Sequence, residues 1–108
     1  MNVSKLLETI PMEILSCGNM DAAIDGCYCS DLLSHCMSNI SEGNLWVTVQ
    51  VNINIVAIAV LTELSAIIIA QGMDVGEEVL KKAAEEGITI LRSELNAYEL
   101  CVEIGKAI

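Results

Sequence analysis

Residues 44–71, NLWVTVQVNINIVAIAVLTELSAIIIAQ, decide the fold. Within 45–51 every residue but Gln50 is apolar, β-branched or aromatic, and 66–70 (AIIIA) is apolar on both faces. Strands buried on both faces belong to parallel sheets covered by helices. Residues 54–64 are long enough to return the chain as a helix, so the stretch reads strand, crossover, parallel strand. It predicts a three-layer α/β fold: a mainly parallel sheet of about four strands with helices on both faces.

The flanks fit that unit. Ser4 is placed to cap a short first helix whose Val3, Leu6, Leu7 and Ile10 form one apolar stripe, ended by Pro11. Residues 12–17 (MEILSC) predict a first strand, and Asp25-Gly26 marks a turn between short extended pieces. Ser30 reads as the N-cap of a helix over 31–39 that buries Leu32, Leu33, Cys36 and Met37 and leaves Asp31 and His35 together outside. After the second central strand, Asp74-Val75-Gly76-Glu77 has capping-box spacing, and the helix to Glu86 alternates Glu77, Glu78, Lys81, Lys82, Glu85 and Glu86 on its wet side before Gly87. Residues 88–91 give a last strand, and Ser93 opens a closing helix that buries Leu95, Tyr98, Cys101, Val102 and Ile108. No linker or repeat interrupts residues 1–108, which read as one continuous domain.

Composition narrows the partners. The 108 residues are 54% hydrophobic, high for so small a unit, which places part of the apolar surface at a subunit interface. Fifteen Asp and Glu against five Lys and Arg give a net charge of −10, and phosphate backbones and anionic lipids both need clustered cations. Neither nucleic acid nor a membrane surface is an expected partner. Residues 53–70 are long and apolar enough to raise a membrane span, but Glu63 near the middle would cost roughly 2.5–3.5 kcal/mol there. No apolar signal core precedes Pro11, and the five cysteines are odd in number, so a cytoplasmic location with free thiols is expected.

No motif names a reaction. There is no phosphate-binding G-x-x-x-x-G-K-[ST] or G-x-G-x-x-G, and His35 is a lone histidine paired at most with Asp31. Cys27, Cys29 and Cys36 read first as small packing residues with one half-exposed thiol, and alternatively as a zinc or iron–sulfur site. Open α/β sheets place ligands at the carboxyl ends of their strands. There stand Gln50, Asn52, Asn54, Gln71 and Arg92, candidates for binding a small polar ligand, although amides also cap turns at such places. The helix over 54–64 is apolar nearly all round, whereas a surface helix of a monomer keeps a polar face. Ile55, Ile58, Val60 and Leu61 are therefore the expected homodimer contacts.

From Met20 onward the chain resembles the DRTGG domain family. The resemblance rests on Gly26, Tyr28 and Ser30 to Leu33 within GCYCSDLLS, on Trp46 to Gln50 (WVTVQ), on the helix start Asn54 to Ala57, and on AEEGITIL at 84–91. In the loop that names the family the chain keeps Asp21 and Gly26, with Ala22 in place of the Arg, Asp25 near the Thr and Cys27 at the second Gly. Such domains stand alone or are fused to enzymes such as phosphotransacetylases and CBS-containing pyrophosphatases. They are similar to the amino-terminal domain of HPr kinases, which lacks the kinase P-loop, as this chain does. The resemblance implies a non-catalytic regulatory or protein-interaction module without a cofactor. Sensing of a nucleotide-like ligand at the strand ends is the alternative.

Overall fold

The computed structural model describes residues 1–108. Along the chain run α1 (Val3–Thr9), β1 (Glu13–Ser16), β2 (Cys27–Cys29), α2 (Leu33–Asn39), β3 (Leu45–Thr48), α3 (Asn54–Thr62), β4 (Ala66–Ile69), α4 (Glu77–Glu86), β5 (Ile90–Arg92) and α5 (Ala97–Ala107). The sheet has five strands in the order β1-β5-β4-β3-β2. The four from β2 to β5 are parallel, and β1 lies antiparallel on the outer edge of β5. The expected architecture is present, with the fifth strand supplied by the short extended piece after Gly26.

β3 and β4 are buried at every position, as their unbroken apolar runs require. Alternation divides their side chains between two cores. Trp46, Ile67, Ile69 and Ile90 meet Cys36, Ile55, Val56, Ile58, Ala59, Val79 and Ala83 beneath α2, α3 and α4. Leu45, Val47, Ala66, Ile68 and Leu91 meet Val3, Leu6, Leu100 and Ile104 of α1 and α5. The reason is handedness. Parallel crossovers are right-handed, and here each of three steps the chain one strand in the same direction, so all three helices fall on one face. The terminal helices must cover the other.

Several local expectations are corrected. The first helix is capped by Asn2, whose side-chain oxygen accepts from Lys5 N at 2.9 Å, and Ser4 instead donates to Met20 O. α2 begins at Leu33 rather than Asp31, which turns Leu32 and Met37 outward, 55% and 49% exposed. α4 has Gly76 at its N-cap and no side-chain cap, Asp74 leaning toward Arg92 instead, and of the charge pairs on its wet face only Lys82–Glu86 closes, at 3.1 Å. α5 is capped by an Asn96–Glu99 box rather than by Ser93. The buried stripe of α5 is accordingly Leu100 and Ile104, while Tyr98 stands 77% exposed. No helix is long and apolar enough to cross a membrane.

Glu63 ends α3 in the left-handed conformation, φ 56°, which L-residues other than Asn and Asp rarely adopt. Its carboxyl lies beside that of Glu42, and this contact raises the pKa of Glu42 above its ordinary value. Two carboxyl groups in contact can hydrogen-bond only while they hold a proton. A raised folded-state pKa contributes stability in acid that is lost as the pH climbs through it, leaving two like charges side by side. Glu63→Gln is therefore expected to raise Tm at neutral pH, with an advantage that shrinks as the pH falls toward the carboxylate range. Thermal melts from acid to neutral pH check it, and a pH-independent difference would contradict it.

Candidate functional site

The carboxyl ends of β2 and β3 are tied together by one polar knot. Ser30 N donates to Val47 O, and Ser30 O accepts both the Trp46 indole N–H at 3.0 Å and the Cys36 thiol. The next residue, Asp31, turns its carboxylate across β3. One oxygen accepts from Thr48 Oγ1 at 2.7 Å and from Val49 N at 2.8 Å. Gln50 closes the knot, with its N–H on Thr48 Oγ1 and its side-chain amide on Asp31 O. Asp31 is thus not the helix-face partner of His35. Its role here delays the start of α2 to Leu33. Charge-assisted bonds of this length are the strong kind, and they fix the edge strand β2 at its exit.

The five strand-end candidates do not meet in one cavity. Gln50 is engaged as just described, and Asn52 turns its oxygen onto Asn54 N at 2.8 Å. Arg92 is held at the opposite side of the sheet by Glu13 at 2.8 Å and Asp74 at 3.7 Å, and it donates to Met73 O. The bond to Glu13 raises the Arg92 pKa further, and the paired guanidinium is not a free anchor for phosphate. Asn54 lines a groove between α3 and α4, whereas Arg92 lines a separate one beside β1. Only Asn54 and Gln71 keep side chains without a hydrogen bond inside the chain. The strand order explains the dispersal. From β2 to β5 it never reverses, so no switch point splays neighbouring loops into the crevice where such sheets bind ligands.

An open apolar groove lies along α3. Ile55 and Ile58, two of the four expected interface residues, are 0% and 6% exposed and belong to the chain's own core. Val60 and Leu61 are 44% and 65% exposed, joined by Ile53 at 45%. With Ala57 they line a groove of about 490 Å³ edged by Lys82 and Glu86 of α4. Sequence periodicity could not separate these two pairs, because a helix apolar all round has no phase to read.

The cysteines also sort differently from their spacing. Cys36 is fully buried beneath α2, in the core that Tyr28 also packs against. Cys27 and Cys29 alternate with Tyr28 and take the other side, where Cys101 of α5 lies against both. Although both open to solvent at the sheet edge, their packed surroundings, and next the Cys101 thiol, push Cys27 up to about 12 and Cys29 up to about 11. Metal ligation needs thiolates, and no group of three His, Cys, Asp or Glu is arranged to hold a metal ion. Cys27, Cys29 and Cys36 do not converge. Cys101 was legible only as a core position, and the signal that would have found it is the period of two in Cys-Tyr-Cys.

The fold and the site define a layered α/β domain with a mainly parallel sheet and a locked strand exit. The family model for the DRTGG domain matches residues 5–107, and the chain belongs to that family. The two stretches that carry the likeness most specifically, GCYCSDLLS and WVTVQ, are the two that the Asp31 knot joins. Among solved structures, the CBS and DRTGG domains of the regulatory region of Clostridium perfringens pyrophosphatase, complexed with the activator diadenosine tetraphosphate, superpose with a TM-score of 0.76 at 15% identity. The match covers 99% of this chain and 47% of that one, so the chain spans about half the length of this solved relative. At that identity the likeness is one of fold. No curated protein matches the chain.

Removing the Asp31 carboxylate leaves the Thr48 hydroxyl and the Val49 N–H without their acceptor. Asp31→Ala is expected to lower unfolding free energy by about 1–2 kcal/mol, with the exposed side of the knot partly compensated by water. Urea denaturation followed by Trp46 fluorescence checks this. A loss below about 0.5 kcal/mol, the size of an ordinary surface change, would mean that the knot does not hold β2.

Proposed function

We propose that the chain is a non-catalytic regulatory module that pairs with a second copy of itself through the groove between α3 and α4, and that it works in the cytoplasm. The observation that carries this reading is the exposure of Ile53, Val60 and Leu61 around a helix with no ionisable side chain, on a chain of net charge −10. Two such acidic molecules repel except where a neutral face meets its equal. A two-fold axis makes a patch face itself, the commonest arrangement of soluble oligomers. The Lys82–Glu86 pair at the groove's edge suits that symmetry, since each lysine can then meet the other copy's glutamate. A regulatory role in which protein contact carries the signal needs no reaction.

A second reading is a site for a small nucleotide-like ligand at the strand ends. The unengaged side chains of Asn54 and Gln71 favour it, and the Clostridium perfringens relative is described with a dinucleotide activator. Here Asn54 and Gln71 would bind, while Gln50, Asn52 and Arg92 would act through the loops they already brace.

Sedimentation of the wild type should give a particle of twice 11.6 kDa. Leu61→Asp, at an exposed position, should weaken the dimer on the order of 100-fold without changing the far-ultraviolet spectrum. Ile58→Asp is unsuitable because Ile58 is core. A Leu61→Asp protein as dimeric as the wild type would refute this interface. For the second reading, diadenosine tetraphosphate should raise the Tm of the wild type and not of Gln71→Ala; the absence of any shift would end it.

A further inference from the structure

We infer that Cys101 and the Cys27/Cys29 pair form a modification site: a reversible disulfide that staples α5 to the edge strand β2. β2 runs Cys-Tyr-Cys along the sheet edge, and its register against β3 pairs Cys27 with Leu45 and Cys29 with Val47. Leu45 and Val47 face the core that α5 covers, so the two thiols face it too, and Cys101 reaches them from α5. α5 packs on β2 with Cα atoms within 8 Å. Cys27 and Cys29 cannot bridge each other. Alternate residues on a strand stand about 6.6 Å apart with parallel side chains, whereas bridged Cβ atoms lie about 4 Å apart. Each of them can only turn to Cys101. Cys36 does not compete, because its thiol is buried and bonded to Ser30 O.

The oxidant is a small-molecule disulfide such as oxidised glutathione. A thiolate of the protein attacks one sulfur of the reagent, giving a protein–glutathione mixed disulfide and releasing one glutathione thiol. A second protein thiolate then attacks the protein sulfur of that bond and expels the other. Two protein S–H bonds are lost and one S–S bond forms, while the reagent is reduced by two electrons to two thiols.

Such a staple would close the chain between two elements that no β-ladder joins, next to the residue pair Ser30-Asp31 that locks the end of β3. It would hold that knot shut in oxidising conditions and leave it free to open in reducing ones. Equilibrating the native protein with reduced and oxidised glutathione should yield a monomer lighter by about 2 Da, reversed by dithiothreitol. Peptide mapping should place the bridge between Cys101 and Cys27 or Cys29, and Tm should rise by about 5–15 °C. The change should survive Cys17→Ser and Cys36→Ser and vanish in Cys101→Ser. It should vanish equally in the double variant Cys27→Ser/Cys29→Ser, whose exposed positions tolerate the exchange. Glutathione adducts without an internal bridge, a bridge to Cys17, or a covalent dimer as the sole product would overturn the inference.

Discussion

The handedness of the parallel crossover is the constraint on which the rest of this structure depends. Three βαβ steps in one direction put α2, α3 and α4 on a single face of the sheet. The other face of β3 and β4, with Leu45, Val47, Ala66 and Ile68, is as apolar as the first and has no crossover helix to cover it. α1 and α5, from opposite ends of the chain, fill that place with Leu6, Leu100 and Ile104, each 0–1% exposed. α1 and α5 are therefore part of the core layer.

The same constraint shapes the functional surface. Because the strand order from β2 to β5 does not reverse, the strand ends form a row of ties rather than a cleft. Polar residues there brace one another: Asp31 with Thr48 and Gln50, Asn52 with the start of α3, Arg92 with Glu13. The apolar surface that remains open includes Ile53, Val60 and Leu61 at α3.

Both edges of the sheet are secured. β2 is three residues long and lies at the rim of the sheet, where an unpaired strand is a liability unless it is short or tied down. It is tied at both ends: the Asn44 amide holds Asp25 O before it, and the Ser30–Asp31 knot holds its exit. α5 packs across it with the thiol of Cys101. The opposite rim is closed by β1, anchored through Ser16 Oγ on Ile88 O and through Glu13 on Arg92. Gly18 lets the chain leave β1 there, since a Cβ would come within 2.2 Å of Gly87 O.

The sequence by itself determined the α/β class, the parallel centre and the helix between 54 and 64, because unbroken apolar runs and their spacing record burial that any fold of this chain must satisfy. It also carried the family, through GCYCSDLLS and WVTVQ. The tertiary structure alone decided what those residues do. Asp31 reads locally as the first turn of a helix, and only the neighbouring strand offers its carboxylate the Thr48 hydroxyl and the Val49 N–H. Ile55 and Ile58 read the same as Val60 and Leu61, and only the position of the sheet sets one pair inside and the other out. Cys101 is 72 residues from Cys29 by sequence number. Local pattern reports that a segment is buried; which of its residues go inside, and against which partner, is a long-range fact, fixed by the sheet and by the terminal helices that close over the face the crossovers leave bare.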